Sequence, residues 1–387
     1  MIYHEDFRQE FIIRQIPDQE DIAKWIDLQT HSNITTAFDS FTEQISGAKF
    51  SMVEFNNGGN IFAYIKRLDL KLAIDVPRSY IEWIYDVAIQ LAQGLDFAHN
   101  AGLCHGQFDL SKVVLQTENE NIMYKITDFA PHTSMEMPLS PEASYWPFSK
   151  QKKQITDREK HEVIMLKDIY TLGIAILELM IGRTSKQNCS ISLDSLPLTW
   201  AEFPESTPLI QVLVECIQID SIAQRKGRLQ GIKKLLIREY KKFFQKPIYK
   251  MENPFVGKKA DVYNKKGIVA LFHDREGEAL HWWSQARILS DRHFDSQCNF
   301  CMHRWSTGRI SDQQLVAEMS EFVFSVPGKG KTLHAYLLIS MGEREQGMAI
   351  LKQYIAETEA GLKSQNRLQN LKVRKLLKQA QEVFNVV

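Results

Sequence analysis

Two short runs hold most of the residues able to do chemistry in this chain. His105-Gly106-Gln107-Phe108-Asp109-Leu110-Ser111-Lys112 is followed, thirteen residues after Lys112, by Lys125-Ile126-Thr127-Asp128-Phe129-Ala130. A carboxylate such as Asp109 or Asp128 can take up a proton or hold a divalent cation. Gln107 can do neither as an anion, because its amide is uncharged near neutral pH. Lys112 either stands in for a metal ion, pairing with Asp128 or with an anion, or is a plain surface lysine. Asp128 either caps the turn after its strand or keeps a metal or nucleotide contact. Asp109 acts as a general base only if a substrate hydroxyl is brought to it.

These residues need a frame, and the flanking sequence reads as one. Phe11 to Ile16 is a β-rich run ended by Pro17. Asp18 is set to cap a helix from Gln19 to Gln29, with Ile22, Trp25, Ile26 and Leu28 on its apolar side. Lys49 to Phe55 reads as a strand, and Asn57 to Phe62 as a turn before a short helix. Tyr80 to Asn100 reads as a long amphipathic helix leading into the first chemical run.

In this order the segments resemble a protein kinase over roughly residues 7–245. The first run resembles the H-R-D-L-x-x-x-N catalytic loop, and the second the D-F-G metal-binding turn. His31-Ser32-Asn33-Ile34 resembles the H-P-N-I turn. Glu54 falls at the strand entering the hinge, so it and Asp128 are the residual nucleotide candidates. Asp168-Ile169-Tyr170-Thr171-Leu172-Gly173 matches the D-x-W-x-x-G start of a buried helix, whose Asp braces the catalytic loop in that family. Cys216 to Asp220, followed by Arg225, resembles the turn that ends the domain. His105, Asp168 and Arg225 are thus expected to be structural.

The departures from the family carry the functional reading. Gln107 stands where the resemblance implies the catalytic Asp, and Lys112 where it implies the metal-binding Asn. Arg14 stands where a nucleotide-binding lysine is implied, and a planar guanidinium is not equivalent to an ammonium. Its acidic partner would be Asp21, or Glu20 with a shift, although the separation is short; otherwise the two are unrelated surface charges. Only thirteen residues precede Arg14 and none is glycine, so a glycine-rich phosphate roof cannot be built from them. Gly106 removes the arginine that reads a phosphorylated loop. If Ala130 must take a positive φ, it is strained there.

The last third changes character. A linker is expected from about Lys246 to Lys258, then helices with a 34-residue period. In frames opening at Ala260, Phe294 and Gly328, position 8 is Gly267, Cys301 and Ala335. Position 15 is Gly308 and Gly342 in the second and third frames, and position 24 is Trp283, Ala317 and Leu351. This resembles tetratricopeptide (TPR) repeats over 259–356, with 357–387 as a polar capping helix. Trp282, beside the packing residue Trp283, is the candidate partner-binding residue. Cys298-Asn299-Phe300-Cys301 with His303 looks like a metal fragment, but no second cysteine pair exists to complete a zinc site.

The chain has 387 residues, 47 basic and 47 acidic, so its net charge is zero and no global field favours nucleic acid. Five cysteines, an odd and sparse set, fit free thiols in a reducing compartment. The longest apolar run, Tyr170 to Gly182, is too short for a bilayer and contains Glu178. A cytoplasmic protein without membrane or nucleic-acid partners is expected. The expected fold class is an α+β kinase-like domain with a reduced N-lobe and a helical C-lobe, followed by an all-α TPR-like repeat domain. The expected function is a catalytically inactive scaffold that needs no cofactor and holds protein partners through its repeats and its kinase-like lobe. A divergent serine/threonine kinase using ATP and magnesium, or a part of a cytoskeletal or ciliary assembly, are the alternatives.

Overall fold

The computed structural model describes residues 11–16, 22–28, 30–67, 78–118, 121–129, 156–182, 196, 200, 202–217, 227–246, 255–291, 293–323 and 329–362. The described residues fall into two compact units, one within Arg8–Phe255 and one within Val256–Val387.

The first unit opens with a three-stranded antiparallel sheet. β1 (Phe11–Ile16) and β2 (Ala37–Thr42) flank β3 (Lys49–Glu54), giving the order β1-β3-β2. Phe11 lies opposite Glu54 and Ile16 opposite Lys49, while the β2 register breaks between Ala37 and Asp39. β2 was not anticipated from the sequence. The helix expected over Gln19–Gln29 is represented in the described residues by α1 (Ala23–Asp27) alone. Leu28 takes extended backbone and ends it. Ile22 and Trp25 are buried, and Trp25 Nε1 donates to the Thr35 carbonyl at 2.8 Å.

A second antiparallel sheet joins β4 (Gly59–Asn60), β5 (Val113–Glu118) and β6 (Asn121–Ile126). A parallel bridge between Ile34 and Ile126 ties the segment before β2 to β6. Short α2 (Ile61–Arg67) follows β4, and long α3 (Arg78–Asn100) forms the spine. Ile81, Ile84, Tyr85, Ala88, Leu91, Ala92 and Leu95 on α3 are fully buried, at helical spacing. Gly94 is required by a close approach, since a Cβ there would lie 2.8 Å from the Asn33 carbonyl oxygen.

α4 (Asp157–Ile181) packs on α3, and α5 (Thr207–Ile217) and α6 (Arg228–Phe244) complete the helical part. α4 begins eleven residues before Asp168, not at it. A capping box at Thr156 and Glu159 satisfies the free amides there and fixes the start. The apolar run from Tyr170 lies in this helix, with Leu172, Ile176 and Leu177 fully buried. No helix among the described residues is long and apolar enough to cross a membrane.

The second unit is built of helix pairs: α7 (Phe255–Phe272) with α8 (Glu276–Leu289), α9 (Phe294–Ser306) with α10 (Asp312–Val323), and α11 (Lys329–Ser340) with α12 (Arg344–Leu362). α7 starts at Phe255, so the expected linker to Lys258 ends earlier. α12 runs unbroken past Glu357, so no separate capping helix starts there, and 363–387 lie outside the described residues. Position 15 of the three frames is Asp274, Gly308 and Gly342, and all three take left-handed backbone. Each sits in the turn within a helix pair, where glycine or aspartate tolerates that φ. At Gly267 a Cβ would lie 2.4 Å from Trp283 Nε1, so the α7–α8 contact depends on the missing side chain. Trp283 is buried and donates to the Asn264 carbonyl at 3.1 Å. Ala317 departs from the expectation. It is exposed, and α10 buries Leu315 and Met319 instead.

Candidate functional site

The site lies where β1, the turn after α3 and the turn after β6 meet. Arg14 on β1 reaches the Asp128 carboxylate through Nη1, an ion pair bridging 114 positions of sequence. Lys112, at the end of a 3-10 turn (Leu110–Lys112), places Nζ 3.1 Å from the other oxygen, Asp128 Oδ2. Both carboxylate oxygens therefore face a cation. Arg14, Lys112 and Asp128 are only 34%, 29% and 23% exposed, so water screens the bridge incompletely. Burial lowers the pKa of the Arg14 guanidinium below its ordinary value. The pairing weighed for Arg14 with Asp21 or Glu20 falls outside the described residues.

Asp128 holds a φ of 63°, a left-handed conformation rare outside glycine, asparagine and aspartate. The next residue, Phe129, is fully buried, packed 4.9 Å from the His105 ring and 6.0 Å from Trp25, centroid to centroid. This packing holds the turn in place. Ala130, whose strain the sequence raised, is not among the described residues.

His105 to Lys112 is braced from below. Asp168 is fully buried and accepts from the His105 and Gly106 amides, each at 2.8 Å. His99 Nε2 lies 2.9 Å from the same carboxylate. His105 Nε2 is 2.9 Å from the Thr127 carbonyl, which only accepts, so that nitrogen carries the proton. Its Nδ1 accepts from the Gln107 amide at 3.3 Å. Burial drives the His105 pKa down, and this neutral tautomer follows. The loop and the Asp128 turn are thus joined through one imidazole. His99 was not singled out from sequence; its place at the end of α3, directly before the loop, was the available signal.

Gln107 is exposed and Asp109 is exposed. The Asp109 carboxylate accepts from the Ser111 amide at 2.5 Å and caps the 3-10 turn. Glu54 is engaged rather than open. Its Oε2 is 2.7 Å from Lys125 Nζ, and its carbonyl accepts from Asn56 Nδ2 at 3.0 Å. Asn33, in the turn before β2, donates to Gln90 Oε1 and to the Tyr124 carbonyl, locking that turn to α3 and β6. Arg225 lies outside the described residues.

Trp282 belongs to the second unit. There it is half-buried, 5.2 Å from the Tyr263 ring with Lys266 Nζ 4.9 Å above its own. Cys298 and Cys301 are buried, and His303 Nε2 lies 2.9 Å from Glu276. No group of three or more His, Cys, Asp or Glu among the described residues is arranged to hold a metal. The side chains on the two Asp128 oxygens are cations, Arg14 and Lys112, and that set does not suit a divalent cation, which takes several oxygen ligands.

No family model and no curated protein matches the chain. Among solved structures it is similar to a mutant kinase domain of Mycobacterium tuberculosis PknI, at 16% identity, covering 61% of this chain and 88% of that one, with a TM-score of 0.42. A second mutant of the same domain gives 18% identity, 56% and 74% coverage, and a TM-score of 0.39. The kinase domain of maize SIRK1 (sucrose-induced receptor kinase 1), solved with AMP-PNP, gives 14% identity, 60% and 86% coverage, and a TM-score of 0.41.

Proposed function

We propose that the Arg8–Phe255 unit is a kinase-like frame from which phosphoryl transfer has been removed, and that the chain serves as a protein-binding scaffold. One observation carries this reading: Asp128 is held between Arg14 and Lys112. Kinase-type transfer requires metal ions on the residue at that position and a base beside the attacking hydroxyl. Here two side-chain cations occupy the place of the metal charge. Gln107 offers no base, and Asp109 is committed to a turn. The Glu54 carbonyl, the hinge candidate, already receives the Asn56 amide. What remains is the bracing of the loop by Asp168 and His105, which serves shape rather than chemistry.

The helix pairs of the second unit, with their 34-residue recurrence of left-handed turns, support a TPR-like array. Such arrays present a concave surface to a peptide or helix of another protein. Four buried cysteines outside any disulfide among the described residues suit a reducing compartment. The test is a phosphoryl-transfer assay on the full chain with MgATP and with MnATP and a generic protein substrate. No transfer above background is expected. Transfer abolished by Asp128→Ala would overturn the reading.

A further inference from the structure

α6 carries a charge pattern that neither the loop nor the repeats explain. Arg228 to Lys246 contains seven cations (Arg228, Lys233, Lys234, Arg238, Lys241, Lys242, Lys246) and one carboxylate, Glu239, in a chain whose net charge is zero. The helix is sharply two-sided. Leu229, Ile232, Leu235, Leu236 and Tyr240 are buried in the core, while Lys234, Arg238, Lys241 and Lys242 face solvent. Part of this charge is internally met. Lys233 pairs with Asp96, Lys246 with Glu82 at 2.6 Å, and Arg238 and Lys242 share Glu239. Glu239 is 8% exposed, whereas Arg238 and Lys242 are 71% and 67% exposed, so their outer faces remain available.

We propose that the solvent face of α6 is a docking strip for an acidic, extended peptide segment of a partner protein. The spacing fits that occupant. Lys234, Arg238 and Lys242 recur every four residues, about 6 Å along a helix axis. Same-face side chains of an extended peptide recur about every 6.7 Å. Carboxylates at alternate positions of a strand-like segment therefore meet successive cations.

Other polyanions fit less well. An interfacial helix inserts an apolar face into lipid, and the apolar face of α6 is spent on the core. Single-stranded nucleic acid uses exposed aromatic platforms. Phe244 packs against Tyr85 and Tyr240, and the Phe243 ring is covered by Lys242 Nζ at 4.9 Å.

The experiment is fluorescence anisotropy of a labelled, alternating Glu-Ser peptide titrated with the full chain. Saturable binding is expected, weakening about tenfold between about 50 mM and about 200 mM salt. Lys234→Glu with Lys241→Glu should weaken it by at least about tenfold; neither lysine has an ion-pair partner among the described residues, so the fold is spared. Lys24→Glu with Arg344→Glu makes the same charge change elsewhere and should leave binding within about twofold. Absence of saturable binding, equal loss in both double variants, or tighter binding of a thymidine oligonucleotide or of phosphatidylserine vesicles would overturn the proposal.

Discussion

Substituting Asp128 three ways separates the two things that hold its turn, charge and backbone. Asp128→Asn keeps the shape and the tolerance for left-handed φ but removes the charge. Asp128→Ala removes the charge and adds strain at φ 63°. Asp128→Gly removes the charge and the strain together. With partners about one-third exposed, each ion pair contributes about 0–1 kcal/mol, and a carboxylate shared by two cations about 1–2 kcal/mol. Alanine in the left-handed region costs about 1 kcal/mol more. The Asn variant should therefore lose about 1–2 kcal/mol and the Ala variant about 2–3 kcal/mol. The Gly variant should match or slightly exceed Asn. In a unit of about 250 residues each kcal/mol moves Tm by about 2–4 °C. Urea unfolding, followed by hydrogen exchange at the Val113 and Ile126 amides, reports this unit and not the other. Added salt should shrink the charge part and leave the alanine increment. An Asn variant as stable as the parent at low salt, or an Ala variant equal to Gly, would refute the reasoning.

Other expectations follow from the same geometry. Asp168→Asn leaves one acceptor oxygen for two amides and turns an NH2 toward the second, so it should cost about 2–4 kcal/mol and speed exchange at His105 and Gly106; unchanged exchange there would contradict the bracing role. Gly267→Ala drives a Cβ into Trp283 and should cost the repeat unit about 1–3 kcal/mol, seen as an altered Trp283 environment with β1–β6 unaffected. His31, 4.6 Å from the Phe97 ring, has its pKa lowered to about 4, by burial first, then by Lys233 and Lys125, against Asp96. Its unfolded form takes up the proton first, so its contribution is intact above about pH 6.5 and is lost as pH falls toward about 4. His31→Phe should flatten the stability profile in that window, although His105, shifted in the same direction, remains. An unchanged slope would refute the assignment.

The frame was readable because its signals are local. Tyr80 to Asn100 carries its own periodicity, and Asp168 announces itself through the residues after it. Gly308 and Gly342 stand out in the sequence only as recurring small residues, not as left-handed turns, and Asp274 does not stand out, since aspartate also serves there and leaves no glycine to notice. The start of α4 lies in the capping box of Thr156 and Glu159, whereas the motif at Asp168 points to a start eleven residues later. β2 was missed because Ala37-Phe38-Asp39-Ser40-Phe41-Thr42 alternates weakly and carries a bulge. The contact that matters most was the least legible. Arg14 finds Asp128 across 114 positions, and a sequence offers near neighbours such as Asp21 first. Lys112 with Asp128 was open to reading because sixteen positions and one turn separate them.

The most direct test is a thermal-unfolding scan of the full chain with millimolar ATP, with and without magnesium, beside Asp128→Asn. Ligand that binds the folded state raises the midpoint by mass action. With Asp128 already neutralised by Arg14 and Lys112, no magnesium-dependent shift is predicted. A shift that requires magnesium and disappears in Asp128→Asn would mean the carboxylate still binds metal, and would contradict the account.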